Sequence, residues 1–256
     1  MAQPNPQNAQ AQSAAGQVLG GFEIITKLGQ GGMGAVFLAR QVSMDRQVAL
    51  KVLPQRLGRS KEFVERFLRE ARAAAQLSHV NIVQAIDAGH ASGYYYFAME
   101  YVAGRDLRQI LDREGALSEK QALEFTRQLA GALDYAHTAA RVIHRDIKPE
   151  NVLVTVAGVP KLTDLGLARE VTRGDQSLTK TGVAMGTPNY ISPEQVRGET
   201  DLDGRTDVYS LGATLYHLLT GQPPYTGGTA AEEMAKHLSD PVPDARAVNP
   251  RVSAAA

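Results

Sequence analysis

The chain has no cysteine. That excludes disulfides, thiolate metal sites and a cysteine nucleophile. It has no net charge either, because 27 Lys and Arg balance 27 Asp and Glu. A neutral balance argues against a protein held to nucleic acid or to an anionic membrane by bulk charge. No apolar run reaches the roughly 18 residues that a membrane-spanning helix needs. The opening MAQPNPQNAQ lacks the basic and apolar regions of a secretory signal, so the cytosol is the simplest address. Residues 1–17 carry no charge and almost no large apolar side chain, and read as a disordered leader. There is no internal repeat.

What remains is ordinary globular material. Hydrophobic residues make up 43% and charged residues 21% of 256 positions, enough for a sizeable core in one large domain or two small ones. Three β-like runs, Phe22–Leu28, Ala35–Arg40 and Gln47–Leu53, are separated by Gly-rich or polar turns. Ser60–Leu77 has the apolar stripe of a helix (Phe63, Phe67, Leu68, Ala71, Ala74, Ala75), with Ser60 as its N-cap. Two further strands fit Ile82–Ala88 and Tyr94–Val102. From Asp106 onward the pattern turns helical. Ser118-Glu119-Lys120-Gln121 reads as a capping box opening a helix to about Thr138. Short strands fit Val152–Thr155 and Lys161–Thr163, and residues 164–194 have no period, which in a span of that length usually signals function. Asp207–Thr220 is apolar on nearly all faces and should be a buried central helix. A short helix near Ala230–Leu238 precedes a tail expected to be extended or loop-like.

Several local patterns could carry chemistry. Leu28-Gly29-Gln30-Gly31-Gly32-Met33-Gly34-Ala35-Val36 lies between the first two strands. It reads either as a plain glycine hairpin or as a loop whose backbone can approach a polyphosphate. Its glycines precede a strand and not a helix, which excludes a dinucleotide site of the strand–turn–helix kind. Val48-Ala49-Leu50-Lys51 puts a lysine at a strand centre, either an exposed edge residue or one that needs a buried partner. Glu70 falls on the same helical face as Phe63, Phe67 and Ala74, and can supply that partner. Met99-Glu100-Tyr101-Val102-Ala103-Gly104-Arg105-Asp106 is either a plain linker or a connecting strand whose free backbone groups read a base edge, with Asp106 accepting from a ribose. Between two apolar pieces stands VIHRDIKPENVLV. There Asp146 could accept a hydroxyl proton, Lys148 could neutralise a transferring phosphoryl group, and Asn151 could ligate a metal through its amide oxygen. Asp164, directly after a short strand, would be a second hard oxygen ligand. Such a set suits Mg²⁺, which takes one or two protein ligands beside phosphates. Standing alone, each pattern could equally be a solvated loop.

Taken in order, GQGGMGAV, VALK, the Glu of RFLREA, HRDIKPEN, DLG, GTPNYISPE and DVYSLG resemble the protein kinases, specifically the bacterial eukaryote-like (Hanks-type) serine/threonine kinases. These motifs span residues 22–221. The resemblance implies an α+β, protein-kinase-like bilobal fold. The β-rich N-lobe would cover about 18–102, and a larger helical C-lobe about 103–256. It also implies MgATP, with Mn²⁺ as a substitute, as phosphoryl donor. Gly29, Gly31 and Gly34 would cover the phosphates. Leu28, Val36, Ala49, Glu100, Val102 and Asp106 would line the nucleotide site. Lys51 would bind the α/β-phosphates and pair with Glu70, Asp146 would be the catalytic base with Lys148 beside the γ-phosphate, and Asn151 and Asp164 would hold the metal. Lys148 and Thr187 match the pattern for Ser/Thr rather than Tyr acceptors, and GTPNYISPE argues against a small-molecule kinase. Thr179 and Thr181 in SLTKT would be autophosphorylated, with Arg145 reading one of them; an unregulated Thr-rich loop is the alternative. Protein substrates, and a second copy of the kinase as a homodimer partner, follow as expected partners. A nucleotide-binding scaffold without turnover is the alternative function, disfavoured because Lys51, Asp146, Asn151 and Asp164 are all present.

Three departures from the family pattern stand out. Leu165 replaces Phe after the metal-motif Asp, and Ser192 replaces Ala before Pro193-Glu194; both are expected to be tolerated. The third is the end of the chain. Kinases of this family continue for several helices, one of which usually supplies an Arg to pair with the residue matching Glu194. The expectation is a C-terminally truncated domain, unstable or aggregation-prone because Glu194 is a buried carboxylate without a partner, at a cost of about 3–5 kcal/mol out of a total stability of about 5–15, and because the missing helices would leave apolar surface exposed. Receptor-like members often continue into a transmembrane helix, so a membrane anchor beyond residue 256 is compatible with this chain.

Overall fold

The computed structural model of the chain describes residues 15–31, 34–165 and 188–255, except for the side chains at 62, 66 and 70. Contacts divide it into two units, one of residues up to Ser78 with Val83–Val102, the other of His79–Ile82 with Ala103 onward.

The first unit is a six-stranded antiparallel sheet in the order β1-β2-β3-β4-β6-β5. Its strands are β1 (Val18–Leu19), β2 (Phe22–Gly31), β3 (Gly34–Gln41), β4 (Arg46–Val52), β5 (Ala85–Ala91) and β6 (Tyr94–Glu100). One face buries Phe22, Ile24, Ala39, Val48, Leu50, Tyr96 and Ala98 together. Phe22 and Tyr96 meet edge to face at 5.6 Å. Because side chains alternate along a strand, Ala49 and Lys51 point to the opposite face. A single turn, α1 (Gln55–Gly58), leads into α2 (Lys61–Ala75), where Ser60 caps the Phe63 N–H as its position predicted. Phe67 of α2 packs edge to face on Phe97 at 6.5 Å, and Phe97 is the cross-strand partner of Lys51. The helix therefore lies on the Lys51 face.

The strand predicted over Ile82–Ala88 begins later, at Ala85. Ile82 instead bridges Leu162 in the second unit. The pair β1, two residues long, was not legible, since its only apolar residues are Val18 and Leu19.

The second unit holds a three-stranded sheet, β7 (Gly104–Asp106), β8 (Val152–Thr155) and β9 (Pro160–Leu162), in that order. Around it stand α3 (Leu107–Glu114), α4 (Glu119–Ala140), α5 (Pro193–Val196), α6 (Arg205–Thr220), α7 (Ala230–Ser239) and α8 (Ala245–Val248). Ser118 caps α4 through the Gln121 N–H, and α4 packs against α6 and β9. Ten of the 16 residues of α6 are buried, as its all-round apolar pattern required. It ends at Gly221, whose φ of 80° closes the last turn.

Two corrections concern the connecting stretch and the tail. Gly104, Arg105 and Asp106 are not free connecting backbone; they pair with Thr155, Val154 and Leu153. Gly104 permits this because a Cβ there would lie 1.9 Å from the Val154 carbonyl oxygen. The tail is not wholly extended, since Asp244 caps the single turn α8 through the Arg246 N–H.

Candidate active site

The residues of the HRDIKPEN stretch lie in the second unit between α4 and β8, and their backbone is tied from three sides. Asp207, buried at 5% exposure near the start of α6, accepts the N–H groups of His144 and Arg145, each at 2.8 Å. Gln195 of α5 donates from Nε2 to the Arg145 carbonyl at 3.0 Å. His144, 1% exposed, accepts the Asp146 N–H on Nδ1 and meets the Thr163 carbonyl with Nε2 at 3.0 Å. With Nδ1 an acceptor, Nε2 carries the proton. Arg145 has a φ of 65° and Asp164 a φ of 59°. A non-glycine residue holds such a left-handed conformation only where its surroundings over-determine it, and these bonds do so for Arg145.

Asp146 sits at the centre of the network. Lys148 Nζ donates to both its carboxylate oxygens, at 3.0 and 2.8 Å. Asn151 Nδ2 donates to the Asp146 carbonyl at 2.7 Å and to its Oδ2 at 2.9 Å. Burial pushes the Asp146 carboxyl up, but the Lys148 ammonium, His144 and the Asn151 amide more than offset it and hold the group below the usual carboxylate range. Asp146 is therefore an anion at neutral pH. Both amide hydrogens of Asn151 are used on Asp146, so the amide oxygen is the atom left for a cation. The turn Pro149–Asn151 leads into β8, and the Thr163 N–H donates to the Asn151 carbonyl at 3.0 Å. That bond brings Asp164, one residue on, beside Asn151 in the chain fold. An amide oxygen and a carboxylate are hard donors of the kind Mg²⁺ takes. Among the described residues no cluster of three or more His, Cys, Asp or Glu suggests a further metal site.

In the first unit, Gly29, Val36, Lys51 and Phe97 form one cross-strand row through the pairs Gly29–Val36, Val36–Lys51 and Lys51–Phe97. Ala49 lies two residues along from Lys51, on the same face. Lys51 is buried at 6% exposure, which answers the exposed-edge alternative. The expected Lys51–Glu70 pair rests on a side chain outside the described residues, although α2 lies on the face toward which Lys51 points. Leu28 is half exposed. Among the described residues a Cβ at Gly29 or Gly31 would meet nothing within 4 Å, whereas one at Gly34 would lie 2.1 Å from the Val52 carbonyl oxygen. Gly34 is thus required by the β3–β4 backbone, while Gly29 and Gly31 leave open space for another group.

Some expected residues have other duties. Asp106 caps α3 by accepting the Gln109 N–H at 2.7 Å, and burial raises its carboxyl. The Glu100 carboxylate accepts the Gln84 N–H, and its own N–H donates to the Gln84 carbonyl at 2.8 Å, so only Tyr101 to Ala103 lie outside strand structure; Val102 is buried there. Ser177, Thr179, Thr181 and Thr187 lie outside the described residues. Glu194 is not a buried carboxylate without a partner. It is half buried and accepts the Thr206 hydroxyl at 2.6 Å. Burial pushes its carboxyl up, but the Thr206 hydroxyl and the backbone hold it below its ordinary value.

Two residues that organise the site were not singled out from sequence. Asp207 carried a signal, as an acidic residue in an otherwise apolar helix. Gln195 carried none.

The family described as the protein kinase domain matches residues 22–253. The serine/threonine-protein kinase pkn3 of Myxococcus xanthus is 43% identical over 243 residues, covering 91% of this chain and 44% of that protein. The serine/threonine-protein kinase PrkC of Bacillus subtilis is 39% identical over 236 residues, covering 92% and 36%. The chain thus spans less than half the length of these relatives. The crystal structure of the Mycobacterium tuberculosis PknI kinase domain superposes with a TM-score of 0.72 at 33% identity, covering 93% of this chain and 85% of that one.

Proposed function

We propose that this chain, which belongs to the protein kinase family and resembles its bacterial serine/threonine members, transfers the γ-phosphoryl group of MgATP to Ser and Thr hydroxyls of proteins, its own activation segment included. The observation that carries this reading is the Asp146 network. An anionic carboxylate accepts hydrogen bonds from both a lysine ammonium and an amide whose oxygen is left over.

Asp146 would accept a hydrogen bond from the attacking hydroxyl, orient it, and take its proton as the new oxygen–phosphorus bond forms and the bond from the γ-phosphorus to the bridging oxygen breaks, ADP leaving. Because the carboxyl is held low, it orients more than it activates, which suits phosphoryl transfer, where catalysis is chiefly positioning and charge stabilisation. Lys148 would neutralise charge on the transferring group, and the same ammonium fixes Asp146 meanwhile. Asn151, through its oxygen, and Asp164 would hold Mg²⁺ or Mn²⁺, which supplies charge neutralisation on the phosphates. Lys51, buried in the sheet, would take the α/β-phosphates with Glu70. Gly29 and Gly31 would let the backbone close over the phosphates, with Leu28, Val36, Ala49, Glu100 and Val102 around the nucleoside. Asp106 has one carboxylate oxygen committed to its cap, so it would meet a ribose only through the other.

Thr187 and Lys148 support a Ser/Thr acceptor. Thr179 and Thr181 would be the autophosphorylated residues and Arg145 their reader. Protein substrates are the partners this reading requires, and a second copy phosphorylated in trans is one it admits. The need for ATP puts the domain in the cytoplasm. No helix among the described residues is long and apolar enough to cross a membrane.

The test is incubation of the purified chain with radiolabelled ATP and Mg²⁺ beside Asp146→Asn. Label on Ser and Thr in the wild type, reduced about 10²–10⁴-fold in the variant, is expected. Equal labelling of the two would reject the role of Asp146; no labelling of a folded wild type would reject the kinase reading.

A further inference from the structure

The Gln195 side chain uses both ends of its amide. Its Oε1 accepts the Ser192 N–H at 3.1 Å, and its Nε2 donates to the Arg145 carbonyl at 3.0 Å, 50 residues away in sequence. The first bond closes the capping box of α5. A glutamate at this position would serve that purpose equally well, since Glu and Gln alternate there. The second bond has nothing to do with capping, and only the amide can make it, because a carboxylate has no hydrogen to donate.

The peptide that Gln195 holds is special. Arg145 is left-handed, with a φ of 65°, and its carbonyl belongs to the peptide that leads into Asp146. Asp207 fixes the N–H side of Arg145; Gln195 fixes the carbonyl side. Between them the residue before Asp146 is gripped at both of its backbone polar groups.

We infer that Gln195 is a positioning residue for phosphoryl transfer, acting through the Arg145 carbonyl to set Asp146. This rests on the kinase reading above. It goes beyond that reading in assigning a role to a residue that touches neither nucleotide nor acceptor.

Gln195→Glu separates the two duties, because it keeps the cap and removes the donor; Gln195→Ala removes both. With casein as acceptor, Gln195→Glu at pH 8 should lower kcat about tenfold, since small misplacements near the chemistry cost up to about 10²-fold. The KM for ATP should stay within about twofold. Gln195→Ala, which removes the same donor, should lower kcat at least as far. Hydrogen exchange at pH 8 should be faster across residues 144–146 in Gln195→Glu than in wild type. Wild-type kcat for Gln195→Glu at pH 8 would overturn the inference and leave Gln195 a cap. So would unchanged exchange at 144–146. If the wild type itself transfers no phosphate, the kinase reading falls, and the exchange arm alone decides whether Gln195 grips the loop.

Discussion

Asp207→Asn is the substitution that most directly tests how the loop is held. The native carboxylate accepts two backbone N–H groups, those of His144 and Arg145, each at 2.8 Å. It does so at 5% exposure, beside a His144 that is 1% exposed, so water cannot replace it. An asparagine keeps one acceptor oxygen. Its NH₂ must then face the second N–H, donor against donor. Losing a hydrogen bond to a charged acceptor costs about 1.5–3 kcal/mol, and leaving a buried N–H unsatisfied costs about 1–3. These overlap, so a loss of about 2–4 kcal/mol is expected out of about 5–15 for the domain. At about 2–4 °C per kcal/mol for a domain of this size, the thermal midpoint should fall by about 4–16 °C. The N–H set free is that of His144 or of Arg145, whose left-handed backbone is held in place partly by this contact. Asp146 follows immediately, so kcat should fall by about 10²-fold in a protein that is still folded at the assay temperature. Thermal melts and urea titrations read the first quantity, and ³²P transfer read the second. A variant within about 0.5 kcal/mol of wild type with full activity would refute the argument that Asp207 holds the loop.

Other expectations follow from the same contacts. Lys148→Met removes the main opposition to the burial that pushes Asp146 up, so kcat should drop about 10²–10³-fold, and the pH profile of kcat/KM should gain an acid limb that the wild type lacks above pH 5. A profile of unchanged shape would show that Lys148 does not hold Asp146 down. Gly34→Ala places a methyl 2.1 Å from the Val52 carbonyl oxygen at a φ of 124°. It should destabilise the first unit by about 1–3 kcal/mol and raise the KM for ATP, whereas Gly29→Ala, with open space around it, should spare stability; equal melting of the two variants would contradict this. His217, whose Nδ1 lies 2.6 Å from the Tyr190 hydroxyl, is pushed down to about 4 by burial, with the Arg108 charge adding to it. Its folded value lies below the unfolded value of about 6.5. Stability from this group is therefore complete above about pH 6.5 and is lost as pH falls through 4, while the unfolded chain takes up the proton. Urea midpoints between pH 7.5 and 5 should decline less steeply in His217→Phe than in wild type, and identical slopes would dismiss the effect.

Local signals were legible where local physics decides. Ser60 and the apolar stripe of α2, and the Ser118 cap of α4, marked their helices, because caps and 3.6-residue periodicity are properties of a few neighbouring residues. The motif residues Lys51, Asp146, Lys148, Asn151 and Asp164 were singled out as candidates by their order along the chain. Their environments were not. That Lys51 shares a row with Val36 and Phe97 depends on cross-strand register. That Asp106 spends an oxygen on capping α3, and that Gly104 pairs with Thr155, depends on where β7 meets β8. Partners 47 to 79 residues away, such as Gln128 and Pro160 for Asn81, leave no periodic trace. Neither does the grip of Asp207 and Gln195 on Arg145, from 62 and 50 residues off. The expectation for Glu194 failed for the same reason, because its partner Thr206 comes from α6 and leaves no local pattern. By itself, then, the sequence determined the longer elements and the family, since caps, periodicity and motif residues are encoded by residue type at short range. Tertiary structure alone decided how the Arg145–Asp146 backbone is held and in which ionisation state Asp146 stands, because hydrogen bonds and desolvation depend on what the fold brings alongside.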